Sequence, residues 1–373
     1  MRVANIFNLG VKELRSLGRD PTMLLLIVYA FTLAIYAAAT AMPEALNKAA
    51  IAIVDEDRSP LSARIVDAFY PPYFITPSLI DQAEMDARMD SGLDTFALDI
   101  PPNFQRDVLA GRIPVIQLNV DATRMTQAFT GSSYIQSIVT GEVTSFARRY
   151  RADTELPVDL ELRARFNPEL NKSWFGSVME VINNVTLLSI VLTGAALIRE
   201  REHGTIEHLL VMPVTPFEIM TAKLWAMALV VLTACAFSLI FVVEGFLSVP
   251  IEGSIALFLV GALFHLFATT SMGIFLGTIA RSMPQFGLLI ILILVPLEML
   301  SGGTTPRESM PDTVRYLMLA APTTHFVMLA QAILYRGAGF SVVWPQFLAL
   351  ALIGSALFSY ALARFRSTIS TMT

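Results

Sequence analysis

Residues Ala195–Lys223, AALIREREHGTIEHLLVMPVTPFEIMTAK, form a charged segment between two long apolar runs. Thr215 can cap a helix, Pro216 suits the first helical position, and Glu218, three residues after Thr215, completes a capping box. These signals predict a short helix at a membrane face, between two spans. Its position and mixed charge are suited to docking on another protein. The alternative is an ordinary solvated loop.

The composition is that of an integral membrane protein. Of the 373 residues, 54% are hydrophobic and 15% are charged, with a mean hydropathy of +0.60, whereas soluble domains carry about 25% charged residues. Residues 43–172 hold 13 basic and 19 acidic residues, 32 of the 57 charged residues in the chain. An ordinary polar domain is therefore inserted into the membrane protein. The single cysteine, Cys235, excludes an internal disulfide.

Six apolar segments reach or approach the length of about 20 residues that a membrane span needs. They are residues 22–42, 175–198, 219–246, 255–280, 285–301 and 344–363. The fifth is the weakest, because about 17 residues rise only ~25 Å. Residues 302–343 after it are interpreted as an external hairpin and loop. Such a hairpin can re-enter the bilayer only where protein or water covers its backbone.

The distribution of basic residues sets the orientation of these spans. When the six spans alternate, ten basic residues flank one side: Arg2, Lys12, Arg15, Arg19, Arg199, Arg201, Lys223, Arg281, Arg364 and Arg366. The opposite short loops hold three: Arg307, Arg315 and Arg336. The asymmetry predicts that both termini, including the tail 364–373, are cytoplasmic and that the 43–172 domain lies outside.

Residues 1–21 are predicted to form an interfacial helix before the first span. Apolar side chains between residues 3 and 17 fall on one face of a helix, and Lys12, Arg15 and Arg19 lie opposite. The alternative is a helix packed on a soluble partner.

The inserted segment 43–172 is predicted to be a small α/β domain. Strands are predicted at residues 50–54, 95–100 and 115–120, and helices at 59–69, 79–91, 103–110 and 133–150. The segment contains no histidine and no nucleophile–base arrangement. The acidic runs 55–57 and 81–90 are interpreted as solvated faces rather than cation sites.

The charged segment carries the motif E-R-E-x-G-T-x-E-x-L-x-x-x-P, formed by Glu200, Arg201, Glu202, Gly204, Thr205, Glu207, Leu209 and Pro213. This motif resembles the loop between spans two and three of the ABC-2 family of ATP-binding-cassette transport permeases. Residues 301–311 with Pro322–His325 also resemble the external hairpin of that family. The large domain after span one is similar to the bacterial inner-membrane subset implicated in drug or amphiphile export.

The resemblance implies that the loop 199–218 couples the spans to an ATPase. The implied coupling residues are Glu200, Arg201, Glu202, Gly204, Thr205, Glu207, Pro213, Thr215, Pro216 and Glu218. It further implies a second permease half, a periplasmic adaptor, and outward export by alternating access.

ATP binding is not expected in this chain. A P-loop places a lysine after glycine to hold the phosphates, and none of the four lysines follows a glycine. ATP and Mg²⁺ would therefore be bound by the partner ATPase. The sequence predicts no cofactor, no metal site and no nucleic-acid partner for the chain itself. Its other partner is the lipid bilayer.

Polar residues inside the predicted spans are candidates for a substrate path: Glu180, Asn183, Asn184, Glu244, His265 and Glu298. Ionisable groups at such depth face the bundle interior or water. The three glutamates fall in the outer half of their spans and would favour cationic amphiphiles. Structural inter-helix bonds, or snorkelling to the interface, explain them equally well. For His265, the favoured interpretation is a neutral histidine that bonds the backbone of a neighbouring helix.

Two other classes of function remain open from the residues alone. A membrane-anchored receptor or scaffold would use the 43–172 domain for binding and needs no polar groups in its spans. An intramembrane hydrolase would need paired catalytic groups in the spans, where His265 and scattered serines and glutamates are the only candidates.

Overall fold

The computed structural model describes residues 3–40, 48–121, 125–150, 172–202 and 213–370. The chain forms two compact units, one of residues 1–42 with 164–373 and the other of residues 43–163.

The first unit begins with three helices, α1 (Val3–Gly18), α2 (Pro21–Phe31) and α3 (Leu33–Thr40). Asp20 caps α2, because its carboxylate accepts hydrogen bonds from the backbone N–H groups of Thr22 and Met23, both at 3.1 Å. Only Thr32 separates α2 from α3. The two helices together form the first membrane-length element, Pro21–Thr40.

The described residues of the second unit form four strands and four helices. Its elements are β1 (Ile51–Asp55), α4 (Pro60–Asp67), β2 (Ser78–Leu79), α5 (Gln82–Asp90), β3 (Phe96–Ile100), α6 (Phe104–Leu109), β4 (Gln117–Val120) and α7 (Met125–Tyr150). The sheet order is β2-β1-β3-β4; β1 is parallel to β2 and β3, and β4 is antiparallel to β3. Alternate residues of β1 and β3 fill the core, with side chains from α4, α6 and α7.

Two features of this domain differ from the prediction. The two-residue strand β2 is too short to show an apolar pattern, and α7 starts eight residues earlier than the apolar spacing indicates. The first acidic run is not simply a solvated face. Asp55 Oδ1 accepts hydrogen bonds from the backbone N–H groups of Asp57 and Arg58, and Asp57 Oδ2 accepts one from that of Gln105. These carboxylates stabilise the loop that follows β1.

The chain then returns to the first unit with α8 (Lys172–Glu202), α9 (Pro216–Phe237), α10 (Ile255–Ile279), α11 (Met283–Met299), α12 (Asp312–Leu317), α13 (Pro322–Ala330) and α14 (Phe340–Ser370). π-helical segments extend α9 to Phe246 and α13 to Tyr335.

Five of the described helices are long and apolar enough to cross a membrane: Pro21–Thr40, Trp174–Glu202, Pro216–Phe246, Ile255–Ile279 and Phe340–Ser367. They coincide with five of the six predicted spans. The predicted fifth span corresponds to α11, which has 17 residues. The segments Asp312–Ala320 and Pro322–Tyr335 meet at 93° and make either a broken span or a re-entrant loop.

Helix α8 is the centre of this unit. Of its most apolar stretch, 83% is buried inside the protein, against 22% for α14. Helix α10 packs closely on α8 through Gly273 and Gly277. A Cβ on Gly273 would lie 2.7 Å from the carbonyl oxygen of Ile190, so only glycine permits this approach. Small residues at four-residue spacing are the usual means of packing membrane helices closely.

Candidate functional site

The capping box at the end of the charged segment is present. Glu218 N–H donates to Thr215 Oγ1 at 3.3 Å, and Thr215 N–H donates to the Glu218 carboxylate at 2.9 Å. The prediction of a short separate helix is wrong, however, because Pro216 begins a helix that continues for 31 residues to Phe246. No glycine or proline interrupts the apolar run before its last residues, so nothing ends the helix early. The capping box therefore marks the start of the third membrane-length helix.

The burial of Glu218 also changes its interpretation. Its side chain is buried, with 2% of the residue exposed. It therefore stabilises the start of α9 from inside the protein.

Two arginines at the end of α8 bind the ends of neighbouring helices. Arg199 forms an ion pair with Asp20, the residue that caps α2. Arg201 donates to the carbonyl oxygens of Ala280 at 2.6 Å and Gly277 at 3.1 Å. The last carbonyls of a helix lack partners within it and carry partial negative charge. Arg201 therefore satisfies the C-terminal end of α10.

Glu202 has the complementary role at the next helix. Its carboxylate accepts a hydrogen bond from the backbone N–H of Met283, the first residue of α11, at 3.2 Å. A negative charge is favourable at a helix N-terminus, where N–H groups are free. Arg201 and Glu202 thus attach the end of α8 to both sides of the turn between α10 and α11.

Glu200 belongs to a largely buried ion cluster with Lys12, Glu13 and Lys223. Lys223 Nζ lies 2.8 Å from one oxygen of Glu200 and 3.0 Å from Glu13 Oε1, and Lys12 Nζ lies 2.7 Å from the other oxygen of Glu200. The Lys223 side chain is 2% exposed and that of Glu200 is 11% exposed. The Lys12 side chain stays 47% exposed, so three of the four charged groups are buried. Two ammonium and two carboxylate groups make the cluster neutral overall, which offsets the cost of that burial. The cluster joins α1, α8 and α9.

Next to this cluster, α1 lies directly on α9. Phe7 stacks on Trp225 with ring centroids 5.9 Å apart, and the indole N–H donates to the Ile6 carbonyl at 3.2 Å. A Cβ on Gly10 would overlap the Trp225 indole. The N-terminal helix therefore packs against its own chain, while Val3 and Phe7 stay exposed.

The remaining coupling candidates are less well described. Gly204, Thr205, Glu207 and Leu209 lie outside the described residues. Asn5 Nδ2 lies 3.5 Å from the carbonyl oxygen of Pro213. Contact with an ATPase therefore stays a prediction for the whole motif.

The intramembrane candidates differ in burial and in hydrogen-bond partners. Asn184 is buried and donates to the carbonyl of Ala30 in α2 at 2.8 Å and to Glu180 at 3.3 Å. Asn183 is half-buried on α8, and Glu244 is exposed on the π-helical end of α9. The structure thus brings Glu180 and Asn184 together on α8 and joins Asn184 to α2.

His265 bonds a neighbouring helix. Its ring is fully buried, and its Nε2 lies 2.9 Å from Thr186 Oγ1 of α8. The ring also stacks on Phe326, with the ring centroids 4.0 Å apart. A hydrogen bond between two hydroxyls, from Ser189 to Thr269 at 2.6 Å, continues the α8–α10 contact one turn further. These bonds favour the structural interpretation of His265.

Sequence reasoning missed two parts of this arrangement. The partnership of Glu13 with Lys223 is visible only as a lysine just inside an apolar span and a glutamate on an otherwise apolar helix face. The hydroxyl pair had a signal in the run Thr269-Thr270-Ser271 within a span. Among the described residues, no group of three His, Cys, Asp or Glu side chains could hold a metal ion.

Comparison with known proteins agrees with the motif. The family model for the ABC-2 family transporter protein matches residues 22–363. The chain belongs to the ABC-2 transporter family. This ABC-2 protein is 66% identical to the inner membrane transport permease YhhJ of Escherichia coli K12 over 368 residues, covering 99% of the chain and 98% of YhhJ.

More distant relatives cover the chain almost as fully. The probable multidrug ABC transporter permease YbhR of E. coli K12 is 26% identical, over 96% of the chain and 97% of YbhR. The probable multidrug ABC transporter permease YbhS of the same strain is 27% identical, over 88% of each. Together with the apolar helices, these matches make the protein a multi-pass ABC-2 transport permease.

Proposed function

We propose that this ABC-2 permease is the membrane subunit of an ATP-driven exporter that moves drugs or other amphiphiles outward by alternating access. The observation that carries the proposal is the set of bonds at the end of α8. Four consecutive residues, 199–202, bind α1, α2, α9, α10 and α11 through side chains. A displacement of the loop after α8 would therefore reach five helices at once.

The loop's place in the chain supports its role as the ATPase contact. It leaves this five-helix junction at Glu202 and returns to it at Thr215, the cap of α9. Energy from ATP bound by a partner would enter through residues 203–214 and pass to the spans through a neutral, tightly bonded junction. Rigid contacts of this kind transmit displacement, because packed interiors deform little.

The arrangement of partners belongs to the same proposal. Both termini and the loop face the cytoplasm of the bacterial inner membrane, and the 43–172 domain faces the periplasm. A sixth span is supplied by α11, although it is short. Two permease halves and two ATPases complete the transporter, and a periplasmic adaptor binds the 43–172 domain. The multidrug names of YbhR and YbhS support amphiphiles as the substrate class.

Co-purification of an ATPase from native membranes tests the proposal. Reversing charge with Glu207→Lys, combined with Thr215→Ala, should leave the protein inserted but reduce ATPase recovery and transport. The cap loss costs about 1 kcal/mol, too little to unfold the bundle. Glu84→Lys is the matched control, because Glu84 is an exposed acid in the other unit. Recovery of the chain without any ATPase would favour the membrane-anchored receptor or scaffold.

A further inference from the structure

A cavity of about 490 Å³ opens beside the hairpin that joins α11 to α14. Its polar lining includes Arg307 from the turn before α12, Gln331 and Arg336 from the end of α13, and Gln346 from α14. Its apolar wall includes Val327. Sites for small molecules have volumes of about 300–1,000 Å³ and combine an apolar wall with a few polar groups. The cavity has the size and composition of a ligand site.

Two polar side chains of this cavity, Arg307 and Gln346, have buried atoms without suitable partners among the described residues. Arg307 Nη1 lies 2.7 Å from the thioether sulfur of Met328, a weak acceptor for a full positive charge. Arg307 Nε and Gln346 Oε1 are buried without a hydrogen-bond partner among the described residues. Buried polar atoms without partners are uncommon and call for an explanation.

The charge of the cavity is positive. In the described part of the chain, neither Arg307 nor Arg336 forms an ion pair, whereas nearby Arg315 is paired with Asp312 at 2.7 Å. The one acidic side chain in the lining is Glu308, which is exposed, as is Arg336. One half-buried and one exposed guanidinium group face one exposed carboxylate, so the lining carries a net positive charge and suits an anion.

From this geometry we propose that the cavity binds the phosphate group of an anionic ligand. A guanidinium donates two parallel hydrogen bonds to phosphate, which suits Arg307 and Arg336. The amides of Gln331 and Gln346 add neutral hydrogen-bonding groups for ester or glycerol oxygens. The apolar wall, which includes Val327, suits the start of an acyl chain. A phospholipid therefore contacts more of the lining than free phosphate does. The proposal does not depend on the protein's being an exporter.

Binding is measured on the full chain purified in a neutral detergent, with native mass spectrometry counting bound ligand. The probes are phosphatidylglycerol, inorganic phosphate and an alkyl trimethylammonium amphiphile. We expect saturable binding of phosphatidylglycerol, weaker binding of inorganic phosphate, and no competition from the cation. Equal affinity for the two anions would identify free phosphate as the source of the shared chemistry.

The variants Arg307→Gln and Arg336→Gln should each weaken phosphatidylglycerol binding about tenfold, as expected for loss of a charge-assisted hydrogen bond. Arg307→Lys should recover part of the loss. Arg315→Gln is the matched control, because it removes an arginine of the same hairpin that does not line the cavity. Elution volume and melting temperature without ligand check folding, and Arg307→Lys keeps the test valid if a glutamine variant unfolds. Equal affinity in both glutamine variants and the control would overturn the proposal, as would tighter binding of the cationic amphiphile.

Discussion

Replacing Lys223 with methionine should destabilise the membrane unit by about 3–5 kcal/mol. Methionine keeps the length and most of the volume of the side chain, so little packing is lost. The ammonium group, however, is shared by Glu13 at 3.0 Å and Glu200 at 2.8 Å in a site that is almost closed to solvent. Its removal leaves two buried carboxylates with one remaining cation. Lys12 lies 2.7 Å from Glu200 but 3.7 Å from Glu13, so Glu13 loses its closest cation.

The two charges should also act as a unit. Glu200→Gln alone removes a buried negative charge and leaves Lys223 paired with Glu13. In the double variant Lys223→Met with Glu200→Gln, one carboxylate instead of two remains to be neutralised by Lys12. The double variant should therefore lose about 1–3 kcal/mol less than the sum of the single variants, a coupling typical of groups in one network.

The free energy of unfolding is measured by titrating the purified protein from a neutral detergent into sodium dodecyl sulfate, with helix content as the signal. Lys48→Met is the matched control, since Lys48 is exposed and lies in the other unit; it should change the result by less than about 0.5 kcal/mol. A loss below about 1 kcal/mol for Lys223→Met, or strict additivity in the double variant, would refute the view that these charges form one buried cluster.

Three further predictions test orientation, substrate charge and helix packing. A cysteine at Ala63, an exposed neighbour of buried Ser62, should react with an impermeant external reagent, whereas one at exposed Ser16 should not. The native Cys235 is buried and should not react. The reverse labelling pattern would invert the proposed topology. Glu180→Gln and Glu298→Gln should weaken export of cationic amphiphiles more than export of neutral ones, while Glu244→Gln, at an exposed site, should change neither; equal losses for all substrates would indicate a structural role. Gly10→Ala should cost about 1–3 kcal/mol of stability because its Cβ overlaps the Trp225 indole. Gly18→Ala, with open space around it, serves as the control in the same unfolding measurement, and equal effects would argue against the α1–α9 contact.

The apolar runs and the capping box could be predicted because each depends on local chemistry. A run of about 20 apolar residues leaves the chain few alternatives to a membrane helix. The Thr215 and Glu218 box closes within one helical turn, so its partners are adjacent in the sequence. The strands β1 and β3 were visible because both are short, apolar and bounded by turn residues. Turn signals alone did not show where the helix after Pro216 ends, since its length depends on the apolar residues beyond the cap.

The functional site was predicted less fully, for a physical reason. The motif Glu200-Arg201-Glu202 looked like a charged surface because charged residues are mostly exposed. Its partners are far away in the sequence: Lys12 is 188 residues from Glu200, and Ala280 is 79 residues from Arg201. No pattern of neighbouring residues predicts such distant pairs.

For this protein, composition and apolar length were enough to predict a multi-pass membrane protein with a polar domain inserted after its first span, and one loop motif carried the resemblance to ABC-2 permeases. Each of these properties depends on neighbouring residues or on the composition of the whole chain. The pairing of Lys223 with Glu13 and Glu200, the bond from His265 to Thr186, and the cavity beside Arg307 exist only once the helices have packed. Packing brings distant charges within about 3 Å of each other in a medium from which water is excluded, and that exclusion makes their pairing strong enough to matter.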